Sequence, residues 1–157
     1  MQADARRQTV DLSGYPDLVV VLLGFRVGSL RVLPALLGVG RGLARLSRER
    51  PEGLLGHQTF LFGWNHLGIR QYWRDQDSLT RFTREAPHAV WWRNFLRDTK
   101  GSGFWHEAYC ARGGVEAVYV SMPELPGLGA FAPVREAKGL FMSSEGRLRA
   151  DRQARAN

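Results

Sequence analysis

Cysteine is nearly absent from this sequence: Cys110 is the single one in 157 residues. No intrachain disulfide and no multi-cysteine metal centre can form from it, which suits a reducing compartment. Lysine is almost as scarce, so arginine carries most of the positive side of a net charge of +7. That charge is scattered. No stripe of Lys and Arg tracks a phosphate backbone, and nucleic acid is not the expected partner. Long apolar runs are also missing. The strongest, Leu18 to Phe25, is less than half the roughly 20 residues that a bilayer span needs, so no membrane span is expected. Residues 1–11 hold Arg6 and Arg7 but no apolar signal core, which makes the cytoplasm the expected location.

Hydrophobic residues at 44%, aromatics at 11% and charged residues at 24% describe a globular chain with room for one domain. Asp17 to Gly28 is rich in Val and Leu and reads as a buried strand. Arg31 to Arg48 places Val32, Leu36, Leu37, Val39, Leu43 and Leu46 at near-helical spacing, with Ser29 as a cap and Gly38, Gly40 and Gly42 suggesting close packing. After the Pro51-Glu52-Gly53 turn, Leu54 to Phe62 and Leu67 to Arg74 form a hairpin through Gly63-Trp64-Asn65-His66. Asp77 or Ser78 is expected to cap a short helix that Pro87 interrupts, before a second helical stretch from His88 to Thr99. Phe104 to Ala111 and Val115 to Met122 alternate as strands around Arg112-Gly113-Gly114. The expected organisation is a flexible leader over 1–11, a folded unit over 12–134 and a basic, irregular, solvated tail over 135–157.

This order of elements is a split βαβ pattern: a ferredoxin-like α+β sandwich, an antiparallel sheet with helices on one face. One helical layer cannot cover both faces of a sheet. The back is therefore expected to meet a second copy, giving a homodimer.

Alternation on a strand sends His106 and Glu107 to opposite faces, so they cannot act as a local acid–base dyad. His106 and Cys110 share a face but stand about 13 Å apart along the strand. They are no ligand pair, and no metal site is expected. Cys110 lacks an activating neighbour and reads as a small apolar side chain. Gln71 stands among apolar neighbours as a buried polar candidate. His88 and Trp92 can share a helix face, and with Trp73 and His106 they could wall an apolar pocket between helix and sheet.

Gly56-His57-Gln58, Gln71-Tyr72-Trp73, His88 with Trp92-Arg93-Asn94-Phe95, Trp105-His106-Glu107-Ala108-Tyr109 and Tyr119-Val120-Ser121-Met122-Pro123 follow one another in this order. From about Asp11 to about Val134 the chain resembles a family labelled monooxygenase-like after a member of the fumagillin biosynthetic cluster. That family is similar in architecture to antibiotic-biosynthesis monooxygenases, which implies a dimeric α+β barrel. In cofactor-free members of that superfamily the electron-rich substrate itself reacts with oxygen. The resemblance then implies His106 or His88 as base and Tyr72 or Tyr109 as hydrogen-bond donor. Trp73 and Trp92 would be walls, with Arg93, Gln71 and His57 as further substrate contacts. The expected function is oxidation of an aromatic or polyketide-like molecule without a bound cofactor. Another branch binds haem through a helix histidine; spacing puts Trp92 at that place, leaving His88 or His106 as substitutes. Haem binding is the competing expectation, and a non-catalytic small-molecule carrier or dimeric interaction module is a further one.

Overall fold

The computed structural model describes residues 9–12, 14–29, 48–85 and 88–156. Strands β1 (Val19–Arg26), β2 (Leu54–Gly63), β3 (His66–Trp73), β4 (Gly103–Cys110) and β5 (Gly114–Val120) form one antiparallel sheet in the order β2-β3-β1-β4-β5. The first four keep the ferredoxin-like arrangement, with β1 between β3 and β4, and β5 extends it beyond β4. Helices α1 (Gln76–Arg84), α2 (His88–Arg97) and α3 (Ser144–Ala156) lie on one side of it. Most of the expected helix from Arg31 to Arg48, with Gly38, Gly40 and Gly42, falls outside the described residues, as do residues 1–8 of the leader.

Alternation decides the two faces. Val19, Val21, Leu23 and Phe25 of β1 stand beside Trp73, Gln71, Ile69 and Leu67 of β3, and beside Cys110, Ala108, His106 and Phe104 of β4. This is the helix face, and its core joins Val19, Val21, Trp73 and Ala108 to Leu79 of α1. Trp73 is fully enclosed, its ring 5.1 Å from that of Phe82. Burial of a side chain such as Leu79 contributes about 1.5–3 kcal/mol, which docks α1 although the helix is short.

The cap of α1 is Asp75 rather than Asp77 or Ser78. Its carboxylate accepts the backbone N–H of Ser78 at 2.7 Å, and that bond holds its pKa at about 2. Ser78 is therefore the capped third residue of the helix, not the cap.

The segment expected to be an irregular, solvated tail ends instead in α3, which packs along β5. Few apolar residues announce it, yet Leu148 is only 2% exposed. Gly114 allows the approach: its φ is +94°, and a Cβ there would lie 2.4 Å from Asp151 Oδ2. The Asp151 carboxylate accepts the N–H of Val115 at 3.2 Å.

On the sheet's back, Glu107 is 1% exposed. Tyr109 and Tyr119 donate their hydroxyls to it at 2.6 and 2.8 Å, and the N–H of Leu128 does so at 2.6 Å. The stretch around the 3-10 turn Gly127–Ala130 is thereby strapped over β4 and β5. Farther along, Phe62, His66 and Trp105 pack together. Gly24 makes room for them, since a Cβ there would lie 2.2 Å from Trp105 Nε1.

Candidate active site

Strand β4 points Phe104 and His106 at the helix layer, and α2 comes down upon them. The Trp92 and Phe95 rings lie 5.1 and 6.1 Å from Phe104, while Phe25 meets Phe95 at 5.7 Å. His106 borders Phe104 at 6.2 Å, and His88 at the start of α2 borders Phe82 at 5.3 Å. These side chains are half-buried, so the aromatic cluster between α2 and the sheet is not sealed as Trp73 is.

Beside it lies a group that ordinary burial would forbid. Glu116 of β5 is buried, its carboxylate 2.7 Å from His106 Nε2 and 2.5 Å from Arg147 Nε of α3. Burial alone pushes a carboxylic acid's pKa up, but the hydrogen bonds and charges of His106 and Arg147 outweigh it and hold Glu116 at about 2. An ionised carboxylate only accepts, so Nε2 of His106 must carry the proton. In the neutral ring Nδ1 is then the acceptor. His88 shows the reverse tautomer: its Nδ1 lies 3.3 Å from the Thr83 carbonyl, so Nδ1 donates and Nε2 is left as acceptor. Burial lowers the His88 pKa, and nearby His106 lowers it further, against a smaller upward pull from the Thr83 carbonyl. Two imidazoles, each with one ring nitrogen tied to a partner, border one aromatic cluster.

The fold brings together His106, His88 and Trp92. Trp73 and Gln71 are on the same face but deeper: Trp73 Nε1 donates to Gln71 Oε1 at 3.1 Å, and both residues are buried. This bond satisfies the polar group expected at Gln71. His57 is also on this face, but on β2, three strands from His106, which is about 14 Å across the sheet. It lines a separate groove of about 570 Å³ with Gln58, Thr59, Phe60 and Arg70. Arg93 is exposed. Tyr72 and Tyr109 face the other way, paired beside Val20 on the back of the sheet. Strand alternation therefore separates both tyrosines from His106. Tyr109 is instead a donor to Glu107, and burial together with that bond pushes its pKa up to about 12.

Cys110 is half-buried 3.4 Å from Gln76 Oε1, with its thiol pushed up to about 11 by burial and by Glu116. It is a poor nucleophile. Among the described residues, no cluster of three or more His, Cys, Asp and Glu could hold a metal ion, and no helix is long and apolar enough to cross a membrane.

Sequence reasoning passed over Phe104, Glu116 and Arg147. Glu116 was within reach: the Gly113-Gly114 turn sets Cys110 opposite Gly114, which puts Glu116 opposite Ala108 and diagonal to His106 on one face. Arg147 carried no such signal.

Residues 18–128 match the sequence model of the family described as Monooxygenase af470-like. The aliphatic aldoxime dehydratase of Rhodococcus erythropolis is 35% identical over 77 residues, 48% of this chain and 22% of that protein. The match thus spans about a fifth of that relative's length, as it does for its Pseudomonas counterpart at 34% identity over 77 residues. Among solved structures, an aldoxime dehydratase in complex with butyraldoxime is 26% identical, covering 75% of this chain and 34% of that one, with a TM-score of 0.46. SnoaB, a cofactor-independent oxygenase from Streptomyces nogalater, is 18% identical over 61% of this chain and 94% of that one, also with a TM-score of 0.46.

Proposed function

Because the chain belongs to the Monooxygenase af470-like family, we propose that it oxidises an electron-rich aromatic or polyketide-like molecule held against the aromatic cluster, with His106 as the base. The observation that carries this reading is the His106–Glu116 pair at 2.7 Å beside Phe104, against which Trp92 packs. A buried carboxylate fixes the ring's tautomer and stabilises the imidazolium formed when Nδ1 takes a proton. In the reaction, Nδ1 removes a proton from an activated CH₂ flanked by aromatic rings. The resulting carbanion supplies the electrons that reduce O₂; one oxygen atom stays as C=O and the other leaves as water. Trp92 and Phe104 give the flat substrate a stacking surface and limit water around the carbanion.

Oxygen uptake with an anthrone tests this, read together with ¹⁸O₂ labelling of the ketone formed. The reading expects one labelled oxygen per product and turnover at least about 100-fold lower in H106A. Unlabelled ketone, or equal rates, would remove it.

A second reading is favoured by one specific contact. The His88 Nδ1–Thr83 carbonyl bond at 3.3 Å is the arrangement that orients a metal-binding imidazole and leaves Nε2 as the ligand atom. Haem would be held by His88, with Trp92 and Phe104 as apolar neighbours and His106 as the nearby group able to move a proton; its iron would supply redox or Lewis-acid chemistry. Adding haem to the purified chain distinguishes the two. A Soret band lost in H88A favours haem, and its absence in the wild type disfavours it.

The half-buried Val20, Leu22 and Tyr72 on the sheet's back support pairing with a second copy in the cytoplasm. Sedimentation at twice the monomer mass is the expected result, and sedimentation as a monomer would exclude it.

A further inference from the structure

Helix α3 begins at Ser144, beyond the residues that match the family, yet its first turn reaches the candidate site. Both oxygens of Glu116 are occupied. Oε1 receives His106 Nε2 at 2.7 Å and the Ser144 hydroxyl at 2.8 Å, while Oε2 receives Arg147 Nε at 2.5 Å. Arg147 is itself immobilised, because its Nη1 donates to the carbonyls of Phe141 and Met142 at 2.9 and 3.1 Å. The guanidinium therefore stands at a fixed place and holds the carboxylate at a fixed rotamer.

We propose that Arg147 is a positioning residue: with Ser144 it locks Glu116, and through Glu116 it orients the ring of His106, so that the C-terminal helix is part of the catalytic unit. This rests on the reading of His106 as the base. A purely structural arginine would neutralise a buried charge and anchor the helix. A positioning arginine does more, since without it Glu116 can turn away from His106 and accept a proton. The charged and titratable groups facing the pair are His88 of α2, Arg147 of α3 and Cys110 on His106's own strand.

The test uses the whole chain and needs no substrate. Carboxyl ¹³C resonances follow Glu116, and the Nε2–H resonance follows the hydrogen bond of His106. In R147M the Glu116 titration is expected to rise from about 2 by about one pH unit or more, a tenfold weaker acid, and the His106 signal to broaden through exchange. R147K restores both in large part. L148A, which loosens the helix but keeps the guanidinium, lowers the melting temperature and leaves both signals in place. An unmoved Glu116 titration in R147M, or L148A moving the signals as far as R147M does, would overturn the proposal. If R147M does not fold, S144A carries the test: a smaller upward shift supports the proposal, and unchanged signals overturn it. These spectra decide the role of Arg147, whereas the turnover of H106A decides that of His106, so either can fail without the other.

Discussion

Glu107 and Glu116 are both buried carboxylates on adjacent strands, one on each face of the sheet, and their surroundings differ in kind. Glu107 is met by two tyrosine hydroxyls and a backbone N–H. None of these donors gains or loses a proton near neutral pH, so the cluster is a clamp that ties the strap over the sheet. Glu116 is met by an imidazole and a guanidinium. One of those partners is an imidazole able to carry a proton, and it stands beside a half-buried aromatic cluster. The difference teaches that a buried charge becomes chemistry only when its partner can exchange a proton with something that comes and goes.

Breaking Glu116 has the largest expected effect. E116A leaves the largely enclosed Arg147 guanidinium without its carboxylate, and urea unfolding should show a loss of about 3 kcal/mol. The same pair sets an acid limit. Glu116 is held near 2, below its ordinary 4.5, so its contribution is complete above about pH 4.5 and is lost as the pH falls toward about 2. In E116Q that part of the pH dependence should vanish. Next comes E107Q, which keeps the shape but weakens three hydrogen bonds to a charged acceptor, at a cost of about 1–3 kcal/mol by the same unfolding measurement. Its turnover should stay at the wild-type level. A fall in E107Q turnover as deep as that of H106A would erase the distinction between the two faces. The smallest effect belongs to Y109F, which removes one donor from the clamp: about 1 kcal/mol of stability and no change in rate.

Much of the sheet could be read from alternation. The apolar residues of β1 and the turns at Gly53, Gly63 and Gly113 mark where strands start and stop, while Pro87, expected to interrupt the helices, lies outside the described residues. The face shared by His106, Trp73 and Gln71 follows from the same period. What stayed hidden depends on distant contacts. Among the described side chains of helix α3, Leu148 is the one deeply buried apolar residue, so no amphipathic pattern separates it from a solvated tail; its anchor, Arg147, finds Glu116 across 31 positions of chain. Asp75 caps α1 two residues before the expected Asp77 because the caps compete locally and the Ser78 N–H chooses. Tyr72 and Tyr109 looked like donors for the His106 chemistry through their motifs alone, but the pleat sends them to the other face.

The proton-carrying role of the helix-face pair is tested most directly by oxygen uptake in H106N, measured against the wild type at equal folded concentration with an anthrone as substrate. Asparagine can still donate a hydrogen bond to Glu116 but cannot take a proton. The rate is expected to fall by at least about 100-fold with the fold intact; a folded H106N that consumes oxygen as fast as the wild type would contradict it.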